Sequence, residues 1–234
     1  MKRLLLLLLP LLHLSALSTV QAQSLEAIFR SQVGKNMMMA MPSNPNNVEV
    51  QGHPYAHNLW AKGSFRTALN NEYTDVDLKF DAYSNALMIL YRNDSMLVKP
   101  DVVREFDYAI GTQRYQFRNG FETILPEVTA DTYLMVISEG RWSVYKDVKK
   151  VYKKSNFDPT YHTGNRFDWY EESHRYFVKS PDGEWSQLRV NRRNLTRLFG
   201  DKGREVDQYI RQRRMDLEND AHLSHIFEYA SGLE

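Results

Sequence analysis

Residues Thr74 to Pro100, T-D-V-D-L-K-F-D-A-Y-S-N-A-L-M-I-L-Y-R-N-D-S-M-L-V-K-P, decide how this chain folds. Apolar residues at 76, 78, 80 and 82 alternate with charged residues at 77, 79 and 81, a period of two that predicts a strand with one exposed face. Ser84-Asn85 interrupts this run, and the apolar residues 86–91 predict a second strand, buried on both faces. A turn at 92–95 leads into a third strand that begins at Met96. The stretch therefore predicts an antiparallel meander.

Short apolar runs separated by turn residues continue on both sides of this meander. Pro181-Asp182-Gly183 is the most specific turn signal, and it predicts the last hairpin. The further predicted strands are 65–69, 102–108, 114–117, 132–137, 141–146, 148–153, 174–179 and 185–190. Short strands at hairpin spacing favour a curved sheet, a sandwich or an open barrel.

The apolar period changes after residue 190 and predicts three short amphipathic helices. Asn191, Asp201 and either Asn219 or Asp220 are the expected N-caps. The residues expected to face inward are Leu195, Leu198, Phe199, Val206, Tyr209, Ile210, Leu223, Ile226, Phe227 and Ala230. The predicted fold class is α+β, an antiparallel curved sheet or sandwich with C-terminal helices. We expect a single domain over 48–234, β-rich over 48–190 and helical over 191–234.

The first 22 residues have the pattern of a secretory signal peptide. Lys2-Arg3 precedes the apolar run Leu4–Leu12, and a small-residue site predicts cleavage after Ala22. The alternative, a membrane anchor, needs about 20 apolar residues, and Pro10 interrupts the run. The sequence thus predicts an exported chain that is periplasmic, outer-membrane associated or extracellular, with no integral membrane span.

Composition narrows the function classes. Residues 1–22 carry two of the 30 basic and none of the 29 acidic residues, so the remainder has a formal charge of 28 − 29 = −1. This near-neutral charge predicts no general attraction to nucleic acid. The chain has no cysteine, which excludes disulfides and thiolate metal sites. We expect no metal and no cofactor, because His53 and His57 are separated by Pro54, which disfavours a shared helical face.

Residues 23–47 are predicted to be a flexible N-terminal segment. The run Met37–Met41 precedes several proline and asparagine residues, a composition typical of a linker or an apolar tether. The alternative is a segment that lies on the protein's own core. Basic residues concentrate at 141–154 and 189–214. A solvated face accounts for them, and peripheral contact with anionic lipid or glycan is the functional alternative.

The loop 155–170 is the candidate interaction site, because it is long and unusually aromatic. The candidate partner-binding residues are Phe157, Tyr161, His162, Trp169 and Tyr170. The alternative is that these rings fold back onto the core. The chain lacks G-x-S-x-G, H-E-x-x-H and P-loop motifs, which argues against an enzyme. Asp168, Glu171 and Glu172 are the remaining candidates for hydrolase chemistry.

Several motifs, taken in order, resemble a family of exported proteins from Bacteroidota-type Gram-negative bacteria. They are G-x-P-Y from Gly52, L-K-F-D-A-Y from Leu78, L-x-x-L-F-G-D-K from Leu195 and I-F-E-Y-A-S-G-L from Ile226. The resemblance implies an envelope protein without assigned catalytic residues. The sequence thus favours a non-enzymatic envelope protein that binds another envelope protein. A hydrophobic-ligand binder with a pocket in the curved sheet is the alternative, and a hydrolase comes third.

Overall fold

A computed structural model describes residues 38–39, 50–122 and 124–233 of the chain. Within them, one mixed sheet dominates, accompanied by three short helices. The strands are β1 (Met38–Met39), β2 (Val50–Gln51), β3 (Ala61–Thr67), β4 (Glu72–Asp81), β5 (Ala86–Tyr91), β6 (Asp94–Val98), β7 (Val103–Ile110), β8 (Gln113–Arg118), β9 (Leu134–Ser138), β10 (Ser143–Lys153), β11 (Asp168–Lys179) and β12 (Trp185–Leu188). The helices are α1 (Arg192–Leu198), α2 (Gly203–Gln212) and α3 (Asp220–Ser231).

The strands are ordered β1-β6-β5-β4-β3-β7-β8-β9-β10-β11-β12. All neighbours on this path are antiparallel, whereas β2 pairs in parallel with the start of β11. The two ends of the path are not hydrogen-bonded to each other, so the sheet is open. The α+β prediction therefore holds in its coarse form, with sheet as the larger part.

The predicted meander is confirmed as β4, β5 and β6. The Asp81 carboxylate accepts hydrogen bonds from the backbone N–H groups of Tyr83 and Ser84, both at 3.0 Å, which shapes the first turn. The second turn has only two residues, Arg92 and Asn93, with φ of 51° and 71°. Two successive positive φ angles are the geometry of a tight hairpin turn whose twist matches that of the strands.

β3 breaks the sequential order by lying between β4 and β7. Gly63 sits at a register shift in this central strand, opposite Val76 on one side and Tyr108 on the other. A Cβ atom at Gly63 would lie 2.0 Å from the backbone oxygen of Asp107, which no side chain can tolerate. The close approach of β7 to β3 therefore requires glycine at this position.

The sheet is strongly curled around an aromatic cluster. The rings of Phe80 on β4 and Phe117 on β8 lie 4.8 Å apart between centroids. Because β3 and β7 separate these strands, a flat sheet would hold them about 14 Å apart, three strand spacings. Phe106 and Tyr133 complete the cluster, at 4.9 Å from Phe117 and 5.0 Å from Phe106, respectively. These ring contacts require the sheet to bend between β4 and β8.

A second core lies under the helices. Leu195, Val206, Ile210 and the apolar face of α3 pack against β10, β11 and β12, as the helical period predicts. Asn191 caps α1 by accepting from the N–H of Asn194 at 2.9 Å. Asn219 caps α3, accepting from the backbone N–H groups of the first turn.

The helix boundary predicted at Asp201 is wrong. That residue lies in a short 3₁₀ turn, Gly200–Lys202, and α2 begins at Gly203 without a side-chain cap. A Cβ at Gly203 would lie 1.9 Å from the Thr196 oxygen, so close packing of α2 against α1 sets the boundary.

The hairpin of β10 and β11 also differs from prediction. β10 is continuous over 143–153, where two strands were expected, and β11 begins at Asp168 rather than near residue 174. Eleven consecutive residue pairs join the two strands, from Ser143 opposite Lys179 to Lys153 opposite Trp169. The outer half of this hairpin, residues 149–153 and 168–173, carries charged side chains that pair across the two strands, as Lys150 does with Glu172. The sequence there therefore shows only a weak apolar period.

The predicted signal peptide, 1–22, lies outside the described residues, as does most of the segment 23–47. Met38 and Met39, within the predicted apolar tether, form β1 and pair with Val98 and Leu97 of β6. Among the described residues, no helix combines the length and the apolar character that crossing a membrane requires.

We predict that Gly63→Ala destabilises the protein by about 3 kcal/mol, because the new methyl group forces β3 away from β7. The free energy of unfolding from urea titration measures the effect. Gly140→Ala is the matched control, since its Cβ would meet atoms no closer than 3.8 Å. Equal stability of the Gly63 variant and the control would contradict the packing described for β3.

Candidate functional site

The structure separates the predicted aromatic residues into two groups. Tyr161 and His162 lie at the tip of the loop that joins β10 to β11, and the Tyr161 side chain is 76% exposed. Phe157 is half-buried in the same loop. Trp169 and Tyr170 belong to β11 and are half-buried, so they are strand residues rather than loop residues.

The tip loop is braced by hydrogen bonds within itself. Asn156 and Asn165 are joined twice: the Asn165 N–H donates to the Asn156 side chain at 2.7 Å, and the Asn156 N–H donates to the Asn165 oxygen at 3.2 Å. The Asp158 N–H donates to the Thr163 oxygen at 2.9 Å. These bonds hold Tyr161 in a defined position although its ring has little packing of its own.

Phe157 packs against two side chains of the tip loop. Its ring lies 4.7 Å from the Arg166 guanidinium and makes an edge contact with His162. Such a cation–π contact orients the arginine as well as the ring. The tip thus presents a tyrosine, a histidine and an arginine on an ordered turn.

Tyr170 belongs to a different cluster, at the side of the hairpin. Its ring makes edge contacts with Tyr83 and Tyr152, both at 5.5 Å between centroids. Nearby, the backbone N–H of Lys150 donates to the Ala82 oxygen at 3.1 Å. These contacts attach the outer half of the hairpin to the β4–β5 turn, on the far side of the curled sheet.

The basic stretch 141–154 does not form one positive patch. Lys146 pairs with Asp220 at 2.8 Å, and Lys150 pairs with Glu172 at 2.9 Å. Lys153 lies 3.5 Å from Glu171. Since alternate strand residues face opposite sides of the sheet, these pairs divide the positive charge between the two sides.

Two of these ion pairs line a cleft that the sequence did not predict as a site. It lies on the concave face of the sheet, between the aromatic core under β3, β4, β7 and β8 and the helix-covered core under β10 to β12. Three adjoining cavities of about 310, 300 and 640 Å³ make up the cleft. The central cavity shares Tyr115 and Asp220 with one neighbour, and Lys146, Glu172 and Glu218 with the other.

Asp220 connects the first turn of α3 to this face of the sheet. One carboxylate oxygen accepts from the Lys146 ammonium group at 2.8 Å, and the other accepts from the Tyr176 hydroxyl, also at 2.8 Å. The Lys146 and Asp220 side chains are only 13% and 21% exposed. Burial, and then the bond to Asp220, raise the pKa of Tyr176, so this phenol stays protonated and donates.

His57 closes the cleft on the opposite side. Its Nδ1 atom lies 3.0 Å from the Tyr108 hydroxyl, and its ring lies 4.3 Å from that of Tyr115. Burial raises the pKa of Tyr108, so the phenol keeps its proton. The hydroxyl and Nδ1 share one hydrogen bond, in which Tyr108 donates to one imidazole tautomer and accepts from the other.

The pKa of His57 is lowered from its usual 6.5, mainly because burial disfavours the charged imidazolium. Glu172 opposes this shift, whereas the positive charges of Lys150 and Lys146 and the neighbouring His53 reinforce it. His57 is therefore a neutral group at pH 7. Within the described residues, no three histidine or acidic side chains are arranged to bind a metal ion.

The sequence identified the members of this cleft separately and for other reasons. In the sequence, His57 belongs to a histidine pair with the spacing of metal ligands and Lys146 to a basic run, while Glu172 is a candidate catalytic acid and Asp220 a candidate helix cap. The hairpin register places Lys146 opposite Tyr176 and Lys150 opposite Glu172 on one face. A single strand over 143–153 is the feature that places Lys146 and Lys150 on the same face of the hairpin, beside Tyr176 and Glu172.

Comparison with known proteins identifies no relative of this chain. No family model, no curated protein and no solved structure matches this chain.

We predict that His57 titrates below pH 6.5 and that its neutral form stabilises the fold. Because the folded pKa is lowered, the contribution is complete above 6.5 and is lost as the pH falls toward the folded value. NMR titration of the imidazole measures this pKa directly. Urea unfolding at about pH 7.5 and about pH 5.5 should show a smaller pH-dependent loss in His57→Asn. A His57 pKa at or above 6.5 would contradict the buried, neutral imidazole.

Proposed function

We propose that this chain is a non-enzymatic, exported protein of the cell envelope that binds another envelope protein through the tip of its β10–β11 hairpin. The N-terminal pattern ending at Ala22 supports export. The observation that carries the binding proposal is a 76% exposed Tyr161 at the end of a braced loop.

The tip has the properties of a protein-binding surface. Tyrosine and arginine are enriched among the residues that dominate binding energy at interfaces. An ordered loop loses little conformational freedom when it docks, so more of the contact energy appears as affinity. Tyr161 and Arg166 on a loop closed by Asn156 and Asn165 meet both conditions.

The contacts of the three candidate hydrolase residues favour structural roles over catalysis. Asp168 accepts hydrogen bonds from the Tyr152 hydroxyl and from the Ser155 N–H, which lowers its pKa. Glu171 pairs with Lys153, and Glu172 with Lys150. Glu171 and Glu172 are adjacent in β11 and so face opposite sides of the sheet. This arrangement gives no carboxylate pair directed at one substrate.

Binding of a hydrophobic ligand in a pocket of the sheet is less well supported than binding of a protein by the hairpin tip. The space enclosed by the curl is filled by Phe80, Phe106, Phe117 and Tyr133, all nearly inaccessible to solvent. The adjoining cleft is lined by charged and polar groups, which are costly to cover with an apolar ligand.

A photo-crosslinking amino acid in place of Tyr161 tests the proposal in native envelopes. We expect a discrete adduct with one envelope protein, because the tip is the contact surface. The same amino acid in place of Leu69 is the matched control, since Leu69 is 79% exposed but lies in the β3–β4 turn. It should give no such adduct.

Purified variants provide the second arm of this test. Tyr161→Ser should lose the co-purifying partner that Leu69→Ser retains, while both change stability by less than about 0.5 kcal/mol, as exposed positions do. Absence of an adduct at 161, or the same adduct from 69, would count against docking through the tip.

A further inference from the structure

We infer that the cleft between the two cores is a binding site for a neutral oligosaccharide chain. This inference concerns a different surface from the hairpin tip and does not depend on the proposed protein partner. It rests on the shape of the cleft, the chemistry of its lining and the balance of its charges.

The shape favours an extended ligand. The cleft crosses the concave face from Gln113 and Tyr115 on β8 to Gln187 and Leu188 on β12. Four strand spacings separate β8 from β12, roughly 19 Å along a sheet. The three cavities adjoin along this path, so a chain of linked rings can follow it whereas a single compact molecule fills only one part.

The lining combines ring faces at one end with hydrogen-bonding groups along its length. Tyr115 and His57 present adjacent rings, and beyond them lie the ion pair between Lys146 and Asp220 and the buried Tyr176, whose hydroxyl donates to Asp220. Sugars combine apolar C–H faces with hydroxyl groups at the ring edge. Aromatic faces match the former. Amide and carboxylate groups such as Gln113 and Glu218 match the latter, because they accept or exchange hydrogen bonds with hydroxyls.

The charge balance favours a neutral ligand over an ionic one. Lys146 is already paired with Asp220, and both side chains are largely shielded from water. An anion or cation would have to compete for one partner and leave the other unpaired, which is costly at a poorly solvated site. The lining charges without an ion pair among the described residues are Glu218 and Arg189, which have opposite signs. A uniformly charged oligosaccharide therefore gains little binding energy from this lining.

His57 completes the polar lining as a neutral imidazole. Its Nδ1 is hydrogen-bonded to Tyr108, which leaves Nε2 to exchange a hydrogen bond with a ligand hydroxyl. Glu172, held by Lys150, is the acceptor on the facing strand. Two hydrogen-bonding groups fixed by other residues are suited to hydroxyl groups, which can both donate and accept.

NMR titration of the isotope-labelled chain tests the inference. The probes are hexasaccharides of β-1,4-glucose, β-1,4-N-acetylglucosamine and α-1,4-glucose, with hexagalacturonate as the uniformly anionic comparison. We expect at least one neutral hexasaccharide to shift the amide signals of Gln113, Tyr115, Lys146 and Glu172 in a saturable manner, and to bind more tightly than hexagalacturonate. Tyr161→Ser should bind the same sugar unchanged, which separates this site from the hairpin tip.

Variants of the lining identify the site. Glu218→Gln replaces an exposed, unpaired carboxylate by a neutral amide and should weaken binding about tenfold, the difference between a hydrogen bond to a charged group and one to a neutral group. Tyr115→Leu, which keeps an apolar side chain but no ring, should also weaken it. Glu184→Gln is the matched control, because Glu184 is exposed in the β11–β12 turn and lines none of the three cavities.

Three results would overturn the inference. The first is that no neutral hexasaccharide shifts these amides at about 1 mM, a concentration that detects even weak binding. The second is tighter binding of hexagalacturonate than of every neutral chain. The third is an unchanged affinity in both Glu218→Gln and Tyr115→Leu.

Discussion

Contact between the rings of Phe80 and Phe117 is the constraint on which the rest of the structure depends. These residues belong to strands that are three spacings apart, yet their centroids are 4.8 Å apart. The sheet must therefore bend sharply between β4 and β8, with Gly63 of β3 allowing the close approach to β7. Tyr133 supports the bend by donating its hydroxyl to the Val103 oxygen at 2.8 Å inside the core.

The curl explains why a polar cleft lies beside the filled aromatic core. Bending brings the β4–β5 turn to the outer half of the β10–β11 hairpin, where Ala82 accepts from Lys150. The helices can then cover only the inner half of that hairpin. Between the two apolar cores remains a strip where alternation along β10 and β11 places Lys146 and Glu172 instead of apolar residues.

Much of the fold follows from local rules that the sequence displays. The meander from residue 74 to 100, the caps at Asn191 and Asn219 and the inward faces of the helices depend on residues close together in the chain. The curl, the insertion of β3 and the length of β10 depend on partners far apart in sequence. Lys146, for example, is stabilised in a strand by Asp220, which is 74 residues away. No local pattern contains that information.

The candidate sites show the same division. An aromatic tip was predictable because Tyr161 and Phe157 lie in one loop, although Trp169 and Tyr170 proved to be strand residues. The cleft was not predictable, because its members come from the segment around His57, from the five strands β8 to β12 and from the start of α3. Their individual patterns suggested metal binding, a basic face and a helix cap, and only the folded chain combines them.

A double-mutant cycle on Phe80→Leu and Phe117→Leu tests the curl most directly. The free energies of unfolding of the wild type, both single variants and the double variant give the coupling between the two rings. The account predicts a coupling of about 1 kcal/mol, typical of aromatic pairs in contact. Rings about 14 Å apart in a flat sheet would act independently, so additive effects would contradict it.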